Sequence, residues 1–148
     1  MKLNSKMSAL LEEVGISTPL NDGLELGHVE SPAFEIAEGS VVLRTEFEKN
    51  RHVSVTAFPD RTGFESFINH VHLPFNGTRE SLLACLAYSD ALRRGLTLLV
   101  GSRHFQVIVS ISGNGCTVRF HEVRSGERWI AENLEDYADE AILVLDVP

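Results

Sequence analysis

The stretch HFQVIVSISGNGCTVRFHEV, residues 104–123, decides the fold. Phe105, Val107, Val109 and Ile111 recur at every second position, and Val118 and Phe120 take up the same alternation after Ser112-Gly113-Asn114-Gly115. A period of two sends successive side chains to opposite faces of a strand. Two such runs joined by a short Gly/Asn turn make an antiparallel hairpin with one apolar face.

Working outward, the sequence 124–129 (RSGERW) reads as a turn, 130–140 (IAENLEDYADE) as a loop or short helix, and 141–147 (AILVLDV) as a final strand. Upstream, residues 79–94 read as the main helix. Leu82, Leu83, Leu86, Ala87 and Leu92 fall near helical spacing, Thr78 is its N-cap and Glu80 lies in its first turn. Arg93 and Arg94 suit the negative end of the helix dipole, and Gly95 suits the position just beyond the helix. Whether residues 96–100 continue this helix is left open by their composition. FESFINHVHL (64–73) alternates as a strand that Pro74 stops. VVLRTEFE (41–48) and HVSVTAF (52–58), joined by Lys49-Asn50-Arg51, read as another hairpin. Residues 3–13 form a short amphipathic helix, followed by a loop over 16–40 with a short strand at 32–37.

These elements predict an α+β fold: a mostly antiparallel sheet of about six strands, covered by one main helix over 79–94, with a short N-terminal helix. The expected organisation is one domain over 1–148, with residues 1–40 as a helix and loop arm and 41–148 as the core. The length of 148 residues suffices for a single core without disulfide or metal staples. Cys85 and Cys116 stand 31 positions apart with no C-x-x-C spacing, and are expected to be buried free thiols. No apolar run approaches the ~20 residues that span a membrane, and the N-terminus lacks the apolar core of a signal peptide. The expectation is a cytosolic protein with no membrane partner.

Charge narrows the partners. Asp and Glu number 21 against 13 Lys and Arg, a net charge of −8. Such a surface repels phosphate backbones, which argues against nucleic acid, and is steered toward a basic partner. The most polarised stretch is 122–140, where Glu122, Glu127, Glu132, Glu135, Asp136, Asp139 and Glu140 face only Arg124 and Arg128, with Trp129 and Tyr137 among them. Glu127, Trp129, Glu132, Glu135, Asp136, Asp139 and Glu140 are therefore the candidate partner-binding residues, the acidic groups driving encounter and the aromatic ring anchoring the complex. Glu132, Glu135, Asp136, Asp139 and Glu140 are expected to be solvated. Trp129, the only tryptophan, is expected to be packed inward as the apolar pin of the loop.

Catalytic chemistry has little to stand on. His70 and His72 point to one side of a strand, and His121 on another strand would be the third member of a metal site. Zinc takes four ligands, and no cysteine pair or H-E-x-x-H completes the set. There is no G-x-S-x-G elbow and no P-loop. Asp60, Glu65 and Glu80 are expected as solvated carboxylates. No catalytic residue and no cofactor is assigned.

FINHVHL followed by a helix, and then FQVIVSISGNGCTVRFHEVRSGERWIAENLEDYADEAILVLDV, resembles the immunity proteins of bacterial contact-dependent and polymorphic toxin systems, over roughly residues 41–147. The resemblance implies a small, cytosolic, acidic binding protein that neutralises a basic, nuclease-like toxin domain. The rival readings are a small metal-dependent enzyme built on His70, His72 and His121, and a small-molecule or regulatory binding module whose ligand lies against the sheet.

Overall fold

A computed structural model describes every residue except 18, 21–25, 28 and 100. Its elements run β1 (Lys2–Leu3), α1 (Ser5–Glu13), β2 (Phe34–Ala37), β3 (Ser40–Leu43), α2 (Arg44–Lys49), α3 (Arg61–Ile68), β4 (His70–Pro74), α4 (Arg79–Thr97), β5 (Phe105–Ser112), β6 (Gly115–Glu122) and β7 (Ala141–Val147), with single 3-10 turns at Val55–Ala57 and Leu134–Asp136. The main sheet has the order β1-β7-β5-β6-β4 and every pairing in it is antiparallel; β2 and β3 form a separate two-stranded sheet. The fold is α+β, as the alternation predicts.

The β5–β6 hairpin turns on Gly113 and Asn114, with Ser112 opposite Gly115. Gly113 holds φ at +59°, the left-handed region that a two-residue turn asks of its first position and that glycine occupies without strain. One face of the hairpin carries Val107, Val109, Val118 and Phe120. With Leu143 of β7 these pack against Leu82, Leu86 and Leu92 of α4 and Met7 of α1, all of them buried. Cys85 and Cys116 lie in this core as free thiols. Helix α4 starts where Thr78 accepts a hydrogen bond from the Ser81 amide at 3.2 Å.

Three local readings are corrected. The first concerns 41–58. Only Val41, Val42 and Leu43 extend a strand, and its partner is β2, across a turn in which Glu38 and Gly39 both have positive φ, +51° and +82°. Beyond Leu43 the chain winds into α2, and 52–58 holds a 3-10 turn capped by Ser54. The second concerns 64–73, of which only His70–Pro74 is strand. Asp60 accepts a hydrogen bond from the Gly63 amide at 2.7 Å and starts α3 instead. Phe64 and Ile68, one helical turn apart, then face Val42 in a small separate core. The third concerns Gly95, which is inside α4 and buried. A Cβ there would stand 2.0 Å from Ser31 Oγ and 2.6 Å from the Phe34 ring, so this glycine serves a close approach of the 31–34 segment. The helix runs on through Leu96 and Thr97, and Leu98 is its C-cap.

Described residues near the N-terminus share the core of the rest. β1 pairs with β7, and Met7, Leu11 and Ile16 are buried in the main cluster. Two asparagines knit the parts together. Asn4, 1% exposed, accepts from the amides of Met7 and Ile142 and donates to the Glu140 carbonyl at 2.8 Å. Asn69, fully buried, accepts from the Leu43 amide at 2.8 Å and donates to the carbonyls of Val41 (2.9 Å) and Phe120 (3.4 Å). Each satisfies backbone groups that burial would otherwise strand.

Candidate functional site

The sheet has a second face. Alternation along β6 puts Thr117, Arg119 and His121 on the side away from α4. The register then sets His70 opposite Arg119 and His72 opposite Thr117. The His70 and His72 rings meet edge to face with centroids 5.0 Å apart, and Phe67 lies 5.7 Å from His70. His70 Nδ1 donates to the Phe67 carbonyl, and His72 Nδ1 is hydrogen-bonded to Thr117 Oγ1 at 3.2 Å. The three histidines share a face without forming a cage: among the described residues, no group of three or more His, Cys, Asp or Glu side chains is placed to hold a metal ion.

Residues 123–140 pass over this outer face. Ile130, Leu134 and Tyr137 pack on Ile108, Ile142 and Val144, and the Ala131 amide donates to Tyr137 Oη at 2.9 Å. These residues pin the loop. Trp129 does not, which corrects the expectation that it is core: it is 42% exposed, with its ring over the Arg119 guanidinium, 5.0 Å from centroid to Cζ. The residue beneath it on β6 is a cation, so the ring stacks there and keeps its outer side in solvent. Because Arg119 is the register partner of His70, the tryptophan and the histidine strip form one continuous surface.

The acidic residues divide by role. Glu127 accepts from the Thr62 amide (3.0 Å) and hydroxyl (2.7 Å) at the start of α3, and these bonds hold its carboxyl below the usual carboxylate range. At the start of α1, Glu135 accepts from the Ser5 amide at 2.8 Å and hydroxyl at 2.9 Å. Glu140 is bonded to the Ser110 hydroxyl, and Asp136 accepts from Asn133 Nδ2 at 2.9 Å. Glu132, loosely paired with Arg128 at 3.4 Å, and Asp139 are exposed. Of the five carboxylates expected in solvent, Glu132, Glu135, Asp136 and Asp139 are exposed and Glu140 is half-buried.

Glu65 was also expected in solvent and is instead completely buried. Its carboxylate takes Arg124 in a two-pronged pair, at 2.6 and 3.0 Å, and accepts from the Glu122 amide at 2.7 Å. Arg124 also reaches Glu122 Oε2 at 2.8 Å, which in turn holds Arg103 at 3.1 Å. Burial opposes the charge on Arg124, but the Glu65 hydrogen bonds and charge outweigh it and raise the guanidinium's pKa. The available signal was Glu65 sitting between Phe64 and Ile68 behind an Asp60 N-cap, a buried helical face rather than a strand.

Beside this network lies a cavity of about 390 Å³ between the outer sheet face and the loop. Gln106 and His121, directly opposed on β5 and β6, line it together with Val144, Ile130 and Leu134. His121 is 3% exposed. Its Nδ1 donates to the Glu122 carbonyl at 3.0 Å, while its Nε2 has no hydrogen-bond partner among the described residues. Burial lowers its pKa, against the pull of the Glu122 carbonyl and Glu65.

Fold and face together define an α+β domain whose antiparallel sheet is packed on one side and crossed on the other by an acidic, tryptophan-bearing loop. The chain belongs to the uncharacterized protein PM0498 family, whose model matches residues 2–148. No curated protein and no solved structure matches it.

Proposed function

We propose that this chain is an immunity-type binding protein. It docks a basic, nuclease-like toxin domain on the outer face of its sheet, with Trp129 as the anchor and Glu132 and Asp139 as exposed charges that guide encounter. The observation that carries the reading is the exposed Trp129 ring held on Arg119. A large aromatic ring already stacked in place loses little freedom on binding, and such rings dominate interface energetics. The net charge of −8 supports a basic partner. The His70–His72–Phe67 strip extends the same surface, so the acidic loop and the histidine face act as one interface. The role is binding, without cofactor, nucleic acid or membrane.

The experiment is a kinetic titration with the product of the gene adjacent to this one, which the proposal expects to be a basic toxin domain. Binding is expected at one-to-one stoichiometry, with an on-rate that falls as salt rises through ~0.1 M, where the Debye length is about 10 Å. Trp129→Ala should weaken the complex by about 2 kcal/mol, roughly thirtyfold, chiefly through the off-rate. Unchanged affinity in Trp129→Ala, or an on-rate indifferent to salt, sinks this docking mode.

A further inference from the structure

We propose that Arg119 receives a carboxylate of the docked partner, an Asp or Glu side chain seated beside Trp129 and His70, and that this contact selects the partner. The inference rests on the docking reading above and names the chemistry at its centre. Arg119 is half-buried, yet among the described residues no carboxylate stands within salt-bridge distance of it. The other arginines that lack a carboxylate, Arg51, Arg61 and Arg79, are all exposed. The one side-chain hydrogen bond of Arg119 is a long one, 3.4 Å from Nη1 to the Ser66 carbonyl. Nε and Nη2 have no partner among the described residues, and neither is closed off from solvent. Trp129 covers one face of the guanidinium and leaves its N–H edge, the part that grips a carboxylate through two parallel bonds. Burial pushes the guanidinium's pKa down, with the Glu140 charge pulling it back, and Glu140 is itself engaged by the Ser110 hydroxyl. A partly dehydrated cation without a counter-ion is unfavourable, and an incoming carboxylate relieves it.

The complementary surface follows. A net charge of −8 draws basic proteins in general and distinguishes poorly among them. A Lys or Arg brought against Arg119 would be repelled where water is scarce, whereas a single acidic residue there would be held. The matching partner is therefore a basic patch with one carboxylate at its centre. His70, the register partner of Arg119, has its Nδ1 proton committed to the Phe67 carbonyl, so the donors for that carboxylate come from Arg119.

Benzoate and benzamide share a shape, and only benzoate is charged. Each is titrated into the isolated protein at constant ionic strength, read by the Arg119 Nε–H resonance and by the fluorescence of Trp129, the only tryptophan. Benzoate is expected to saturate and shift both signals, with benzamide at least about tenfold weaker. Arg119→Gln should abolish the preference. In complex with the product of the adjacent gene, Arg119→Gln should weaken binding at least about thirtyfold. Arg119→Lys should fall between, since lysine keeps the charge and the packed stem without the fork, and it serves if Arg119→Gln folds poorly. Arg119→Glu should be rescued by changing one acidic residue of the product to Lys, an exchange that a merely structural role for Arg119 would not produce. No preference for benzoate at tens of millimolar overturns the inference. So does a complex that weakens in Trp129→Ala and is indifferent to Arg119→Gln, an outcome that leaves the docking reading standing. A product that does not bind the natural protein sinks the docking reading itself, and this inference with it.

Discussion

The two faces of the main sheet are built to different rules. The inner face is closed and apolar, with Val107, Val118, Phe120 and Leu143 fully buried against α4 and α1. The outer face of the same strands carries Gln106, Thr117, Arg119 and His121, and the loop that crosses it leaves a tryptophan in solvent and an imidazole nitrogen without a partner. Stability alone favours closing such a surface, because an unpaired buried acceptor and an exposed aromatic ring are both unfavourable. Where local rules are broken on one face and obeyed on the other, function belongs on the face that breaks them.

The division has measurable consequences. The largest expected effect is on the inner face: Phe120→Ala should cost about 4 kcal/mol, seen as a lower denaturant midpoint, from lost burial and the cavity left behind. A cost below about 1 kcal/mol would mean that the inner face is not the stabilising one. Next comes Glu65→Ala at the junction of the faces. It leaves Arg124 with Glu122 as its one remaining carboxylate, takes the acceptor from the Glu122 amide, and should cost about 3 kcal/mol. A neutral outcome would show that the ion pair contributes nothing to holding α3 on β6.

A smaller effect belongs to His121 and sharpens the distinction by pH. Burial keeps its folded pKa below the ordinary 6.5, even with Glu65 and Asp60 pulling it up and Arg124 pushing it down. As pH falls below about 6.5, the unfolded chain takes up the proton first. Stability is therefore full above that value and is lost as pH drops toward the folded pKa. Denaturation at pH 7.5 and 5.5 should show a larger loss in the natural protein than in His121→Phe. Equal losses would place the imidazole in solvent. Smallest of all, Trp129→Ala together with Glu132→Lys and Asp139→Lys should move stability by less than about 1 kcal/mol, since none of the three supports the fold. A large loss would show that the outer face is structural after all.

Legibility in the sequence followed locality. The 104–123 hairpin, the Thr78 cap and the final strand β7 were readable because alternation, capping and turn chemistry each act over a few residues. The 41–68 region was not. VVLRTEFE alternates as far as Glu48, yet the strand ends at Leu43, whose amide is taken by the side chain of Asn69, 26 positions away. FESF satisfies a strand period, but the Asp60 cap and the packing of Phe64 and Ile68 on Val42 select a helix. The candidate site was half legible. Trp129 and its acidic neighbours were visible as a group, and so were three histidines. That Trp129 sits on the partner of His70, and that His121 faces a cavity instead of a metal, depend on register between strands.

The sequence by itself determined the α+β class, the main hairpin, the main helix with its N-cap, and the acidic character of the surface. These follow from periodicity, capping and summed charge, which need no knowledge of distant neighbours. Tertiary structure alone decided that Glu65 is buried with Arg124 and that Gly95 is a contact point inside a helix. It also decided that Glu127 and Glu135 hold helix ends while Glu132 is exposed to solvent, and that Trp129 is exposed. The physical reason is common to all of them. Burial and pairing are properties of what the chain brings together across separations from 10 positions, for Trp129 on Arg119, to 130, for Ser5 and Glu135, and no local pattern encodes the partner.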